Sequence, residues 1–424
     1  MISPSRGLHN FANRYRVVQR NCPQTYAMAC KQIAFFAKSN SRNDHRVFGI
    51  GEHARLMHTY AIGKTGTGKS SLLETLTSQD IATGRGFALI DPHGDLAERV
   101  HELAQRSGRT DIVYFNVPNM DQPFGYNPLR RVRADKRSLA ASGLIEIFKK
   151  LWADAWGPRL EHILRNSIYA LLERDDATLP DILRLLTDRE YRIETSRMVT
   201  NEPVREFWES EYPKYSPRLR ADAISPVQSK VGALIADPLL RRVLTSAPQD
   251  IHFRKIMDEG GILIVNLAKG QLGDDTSSLL GGLLVTTLAL AAFSRADTPS
   301  EERQPFHIYI DEFQNFTTLS LVNMASELRK YGIGLTLAHQ HLHQLEPDIR
   351  HAVLANAGTL ISFRLGPEDA SFIAREFEPK FQPIDLMSLP NHHIYLKLMI
   401  DGTPSRPFSA VTLSPQERER LLGL

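Results

Sequence analysis

The chain has 424 residues, a formal net charge of +3, 42% hydrophobic and 23% charged residues, and two cysteines. That balance excludes a disordered polymer, and Cys22 and Cys30 are too few for a disulfide scaffold or a zinc set. No stretch of about 20 uncharged apolar residues and no secretory leader at residues 1–10 is visible, so a reducing, cytoplasmic compartment without a spanning segment is expected.

The charge is uneven. Residues 1–46 hold eight cations against Asp44, a local +7, which leaves −4 for the remainder. Residues 1–47 therefore read as a basic arm. It suits a polyanion, nucleic acid or a lipid surface, or serves as a solvated lead-in. Beyond it, short β-branched apolar runs predict strands at 59–62, 87–90, 112–116, 262–266, 307–310, 333–338 and 360–364. Helical patterns at 69–77, 278–294 and 319–330 fall between them. Near-continuous apolar runs of this length mark parallel strands buried on both faces, so the fold class is α/β, doubly wound. The most apolar run, 279–293, reads as a buried helix. Residues 128–250 break the alternation with Leu, Arg and Trp at helical spacing and prolines as breaks. They predict an all-helical domain inserted between two parts of the core, 48–127 and 251–424. Near the end, 394–400 and 408–413 flank Asp401-Gly402, a hairpin signal.

The predicted strand at 59–62 runs into Gly63, Lys64, Thr65, Gly66, Thr67, Gly68, Lys69 and Ser70, followed by Ser71. This matches G-x-x-x-x-G-K-[ST] between a strand and a helix, the setting of a phosphate cradle. Glycines let the backbone wrap phosphates, and the helix aims its positive end at the anion. Lys69 is expected to reach the β- and γ-phosphates of ATP, and Ser70 to ligate Mg²⁺. The strand at 307–310 ends in Asp311-Glu312. Asp311 is the expected second member of the Mg²⁺ shell and Glu312 the base for the attacking water, since adjacent acids on an extended backbone point to different sides. Asp91, at another strand end, is either near the phosphates or part of an Asp-Pro turn.

The runs 88–95 (ALIDPHGD), 309–315 (YIDEFQN) and 328–340 (LRKYGIGLTLAHQ) resemble segments of the HerA–FtsK superfamily of DNA-pumping ATPases. The combination is most similar to the conjugative coupling-protein branch of type IV secretion, over about residues 48–415. The resemblance implies a RecA-like P-loop core with a helical insert, a homo-hexameric ring, DNA as partner with strandedness open, and a secretion or nuclease partner. It also implies that Gln340 senses the γ-phosphate and that Arg329 is an arginine finger reaching a neighbour's ATP. Lys269 is a weaker alternative, and Arg329 is otherwise a solvated helix-end cation. Membrane-bound members carry N-terminal spanning helices that this sequence lacks, which leaves a soluble relative or a peripheral place at the inner membrane. An assembly or protein-secretion ATPase and a slow nucleotide-gated switch are the alternative readings. His339, His341 and His343 would share a strand face but lack a completing ligand. Trp152, Trp156 and Trp208 pack helices or stack on bases.

Overall fold

The computed structural model describes residues 33–40, 45–130, 132–246 and 248–422. Most of the basic arm, with Cys22 and Cys30, lies outside the described residues. The strands are β1 (Ile33–Ser39), β2 (Val47–Gly51), β3 (Thr59–Ile62), β4 (Gly86–Asp91), β5 (Ile112–Asn116), β6 (Phe124–Gly125), β7 (Gln249–Asp250), β8 (Ile262–Asn266), β9 (Phe306–Ile310), β10 (Ile333–His339), β11 (Thr359–Ser362), β12 (His393–Lys397), β13 (Met399–Ile400), β14 (Thr403–Pro404) and β15 (Phe408–Thr412). Eleven of them form one sheet, ordered β2-β1-β15-β12-β11-β3-β10-β9-β4-β8-β5. The seven from β11 to β5 are mutually parallel, and the four at the other end pair antiparallel.

The parallel strands are buried on both faces, which is why their sequences run apolar without alternation. Tyr60, Ile62, Ala88, Ile90, Ile308 and Ile310 enter one core. Ala61, Phe87, Leu89 and Tyr309 enter the other. Helices Lys69–Thr83 and Asp95–Arg106 cover that second face through Leu72, Leu76, Leu96 and Val100. Helix Asp274–Ser294 covers the first, mostly buried. Among the described residues, the helical stretch Asp274–Asp297 alone is long and apolar enough to cross a membrane, and most of it is buried in the fold.

Two local readings differ from the sequence expectation. Residues 33–39, counted with the basic arm, form β1, whose Ala34, Phe36 and Ala37 are buried between β2 and β15. The cations of residues 1–31 and Lys38 raised the local charge and masked this short apolar run. Strand β11 stops at Ser362, two residues short of the expected end, where the chain turns to meet the cradle. The hairpin falls at Asp401 and Gly402, with φ +47° and +80°, the left-handed pair that a two-residue turn requires.

Between the 3₁₀ turn Ala134–Lys136 and Ser246 the chain is helices and their connections. At the root of this segment β6 pairs with β7, so the chain leaves and re-enters the core at one place. Its first long helix, Arg137–Leu151, lies along Asp274–Ser294. A Cβ on Gly143 would stand 2.7 Å from Thr286 Cγ2. The tryptophans pack helices. Trp152 stacks on Phe148 at 4.5 Å, Trp208 is buried against Phe207 and Tyr212, and Trp156 Nε1 donates to Glu161.

A buried charged group ties the cradle helix to the sheet. Arg55 donates to both carboxylate oxygens of Asp80 at 2.7 Å, and Tyr309 Oη donates to Asp80 at 2.6 Å. Burial pushes the Asp80 carboxyl up, but the Arg55 guanidinium more than offsets it, helped by His307 and Arg85, and holds it at about 2. Removing one partner strands a buried charge. Arg55→Ala should therefore cost about 3–5 kcal/mol in urea unfolding. Because the folded carboxyl lies below its unfolded value, this contribution is complete above about pH 4. It is lost as pH falls through about 2.

Candidate nucleotide site

The site lies along the carboxyl edge of the parallel strands. The cradle starts where β3 ends and is pinned by neighbours on both sides. Gly63 N–H donates to His339 O at 3.1 Å, and Lys64 N–H donates to Arg364 O at 2.9 Å. Thr67 Oγ1 donates to Lys64 O at 2.7 Å, closing the loop on itself. Gly68 sits at φ +120°, where L side chains strain. Its Cα faces the ring of His392, and the main-chain N–H of His392 donates to Thr67 O at 2.8 Å. Helix Lys69–Thr83 then begins, with its N-terminal N–H groups facing the loop. Lys69 is buried, and its Nζ donates to the Gly63 and Lys64 carbonyls at 2.6 and 3.2 Å. Burial lowers its pKa, and Glu312 and Asp311 work against that shift.

Strand β9 delivers the acids. Ser70 Oγ donates to Asp311 Oδ2 at 3.0 Å, so the hydroxyl and carboxylate of the expected Mg²⁺ pair meet. Burial, then Glu312 and Asp91, pushes the Asp311 carboxyl up to about 6. A crowded, buried carboxylate of this kind favours a nearby cation, and one carboxylate plus a hydroxyl fits Mg²⁺, which takes its other ligands from water and phosphate. Glu312 does not continue the strand. Its φ and ψ are +46° and +50°, so a left-handed turn, not the pleat, separates the two acids. Its side chain is held at both oxygens. Gln340 Nε2 donates to Oε1, and Gln314 Nε2 donates to Oε2 at 2.8 Å.

Gln340 reaches both halves of the site because β10 lies between β3 and β9. Its amide oxygen accepts from Thr65 Oγ1 at 3.0 Å while its nitrogen holds Glu312. Gly63, Lys64, Thr65, Gly66, Thr67, Gly68, Lys69, Ser70, Asp311, Glu312 and Gln340 are thus brought together, with Ser71 in the first turn of the helix.

Other expectations fall elsewhere. Asp91 accepts from the N–H groups of His93, Leu96 and Ala97, so its carboxylate holds the start of the following helix, while its charge still reaches Asp311. Arg329 is exposed in the turn before β10. The seven residues of β10 put it roughly 23 Å from Gln340, on the opposite edge of the sheet from its own cradle. Lys269 follows β8, with Nζ 3.7 Å from Asp274. The three histidines have separate partners: His339 lies 2.9 Å from Tyr60 Oη, His341 pairs with Asp369, and His343 with Glu368. Among the described residues no group of three or more His, Cys, Asp or Glu could hold a metal ion. Sequence reasoning missed Gln314, although it lies inside the acidic run, and His392, which only the tertiary fold brings to Gly68.

A glycine-wrapped cradle, strand-end acids and a polar residue just after an intervening strand define a RecA-like P-loop NTPase fold. A family model described as the type IV secretion-system coupling protein DNA-binding domain matches residues 49–370, and the chain belongs to that family. Solved structures agree in fold. The plasmid coupling protein TrwB bound to a non-hydrolysable GTP analogue matches with TM-score 0.62 and 17% identity over 93% of this chain and 92% of that one. TrwB with ADP and Mg²⁺ matches at 0.61 and 18% over 90% and 94%. VirB4 of Thermoanaerobacter pseudethanolicus matches at 0.62 and 14% over 91% and 98%. No curated protein sequence matches the chain.

Gly68 gives a direct test of the cradle. A Cβ there would stand 2.8 Å from His392 Nδ1 in a left-handed backbone. Such strain, about 1–3 kcal/mol, corresponds to roughly tenfold or more in affinity. Gly68→Ala should weaken binding of a fluorescent ATP analogue by at least about that factor. Gly51→Ala, with open space around its Cβ position, should leave binding unchanged.

Proposed function

We propose that this chain is the ATP-hydrolysing subunit of a homo-hexameric ring that binds and translocates DNA. The observation that carries the reading is the Glu312 carboxylate, oriented by Gln340 and Gln314 beside a complete cradle. Lys69 leaves the loop carbonyls it now caps and turns its ammonium to the β- and γ-phosphates of ATP. Ser70 and Asp311 hold Mg²⁺, which when bound supplies positive charge to the phosphate oxygens. Glu312 takes a proton from the attacking water. Gln340 exchanges its bond to Thr65 for the γ-phosphate and so registers whether that group is present.

The family match supports DNA as the polymer, as does a chain whose first 32 residues hold five cations and no acid. The nucleotide and Mg²⁺ bound to TrwB support the same ligands here. The exposed place of Arg329, far from its own cradle, suits a finger that serves a neighbour across a head-to-tail interface, and closing that interface makes a ring.

ATPase rates measured with single-stranded DNA, double-stranded DNA and no DNA test the motor reading. DNA should stimulate turnover. Glu312→Gln should bind ATP yet turn over at least about 100-fold more slowly. DNA-independent turnover would favour an assembly or protein-secretion ATPase, and no multiple turnover a nucleotide-gated switch.

The shared site gives a second test. Arg329→Ala and Lys69→Ala subunits should each be inactive alone. Mixed, they should regain measurable hydrolysis, because some interfaces then pair an intact cradle with an intact finger. Mixed oligomers without rescue would remove Arg329 from the reaction.

A further inference from the structure

One side chain of the helical insert hydrogen-bonds the turn that follows Glu312. Lys150 lies in the last turn of helix Arg137–Leu151, and its ammonium donates to three main-chain carbonyls: Gln314 at 2.8 Å, Thr317 at 3.0 Å and Asn315 at 3.2 Å. These carbonyls close the short turn that Glu312 opens. Within that turn Asn315 N–H donates to Glu312 O at 3.1 Å, and Gln314 Nε2 holds Glu312 Oε2 at 2.8 Å.

The rest of the turn is fixed from other sides. Phe313 packs edge-on against Tyr60 of β3, and Phe316 lies against Gly281 of the long core helix, where a Cβ would collide with its ring. The carbonyls of Gln314, Asn315 and Thr317, between and beyond these rings, are held by the insert. An ammonium with all three hydrogens on carbonyls is a strong and directional tether, because charge-assisted hydrogen bonds exceed neutral ones. Lys150 also follows Phe148 and precedes Trp152, which stack on each other, so its helix end is rigid.

We propose that Lys150 is a positioning residue for Glu312: it fixes the 314–317 segment, and through Gln314 it transmits the placement of the helical insert to the carboxylate. This rests on the role of Glu312 given above. A displacement of the helix end moves the three carbonyls, and with them the amide that orients Glu312. The insert thereby controls the rate of the water-activation step without touching ATP.

The test is steady-state ATPase kinetics on the full chain, together with ATP-analogue binding. Lys150→Met keeps the length of the stem and removes the donors. It should lower kcat by about tenfold or more, since small misplacements of a reacting group are costly, while KM and analogue affinity stay at wild-type values. Lys150→Arg, which keeps charge and donors, should recover most of kcat. In a Glu312→Gln background, Lys150→Met should cause no further loss. Equal kcat in Lys150→Met and wild type would overturn the proposal, as would losses that multiply in the double variant. A fall in affinity matching the fall in kcat would also overturn it. Wild-type turnover in Glu312→Gln alone would instead remove the base assignment on which the proposal stands.

Discussion

A glutamate in a left-handed turn is the constraint on which the site depends. Glu312 has φ +46°, a conformation that costs an ordinary residue about 1–3 kcal/mol. It persists because the surroundings over-determine it. Its N–H donates to Asp311 Oδ1 at 3.0 Å, its two carboxylate oxygens take separate glutamines, and the turn after it is packed and tethered. The strain separates two adjacent acids, so that Asp311 can face Ser70 while Glu312 faces the space beside Gln340.

That arrangement in turn requires the strand order. With β10 between β3 and β9, the residue that follows β10 stands between the cradle and the acids. Gln340 can then bond Thr65 on one side and Glu312 on the other. A glutamine is suited to this, since its amide offers an acceptor and donors at once. Behind the site, the Arg55–Asp80–Tyr309 group ties the cradle helix to β9, so the two elements that carry Lys69 and Asp311 share one buried anchor. The insert contributes from the other face, through close helix packing at Gly143 and the Lys150 ammonium on the turn that follows Glu312.

The central strands and the cradle were legible in the sequence because their signals are local. A strand buried on both faces must be apolar throughout, and a phosphate cradle needs glycines and a lysine at set spacing. The acids at 311 and 312 are marked the same way, by an apolar run ending in charge. Strand β1 was not legible, since its short apolar run is preceded by the cations of residues 1–31 and itself ends in Lys38, which gave residues 33–39 the look of the same solvated arm.

What the tertiary structure alone decided is which distant residues meet. The sequence by itself determined the α/β class, the glycine-rich loop between a strand and a helix, and the acidic pair at a strand end. It left Asp91 open between phosphate site and turn; in the fold the carboxylate accepts from three N–H groups of the following turn and helix while its charge still acts on Asp311. It carried no sign that His392 lies on Gly68 or that Gln314 holds Glu312. Nor could it show Lys150 crossing 164 positions of chain to reach the Gln314 carbonyl. The physical reason is that backbone propensity and hydrophobic period act over a few neighbours. Hydrogen bonds between remote segments depend instead on strand order and helix docking, which no local pattern encodes.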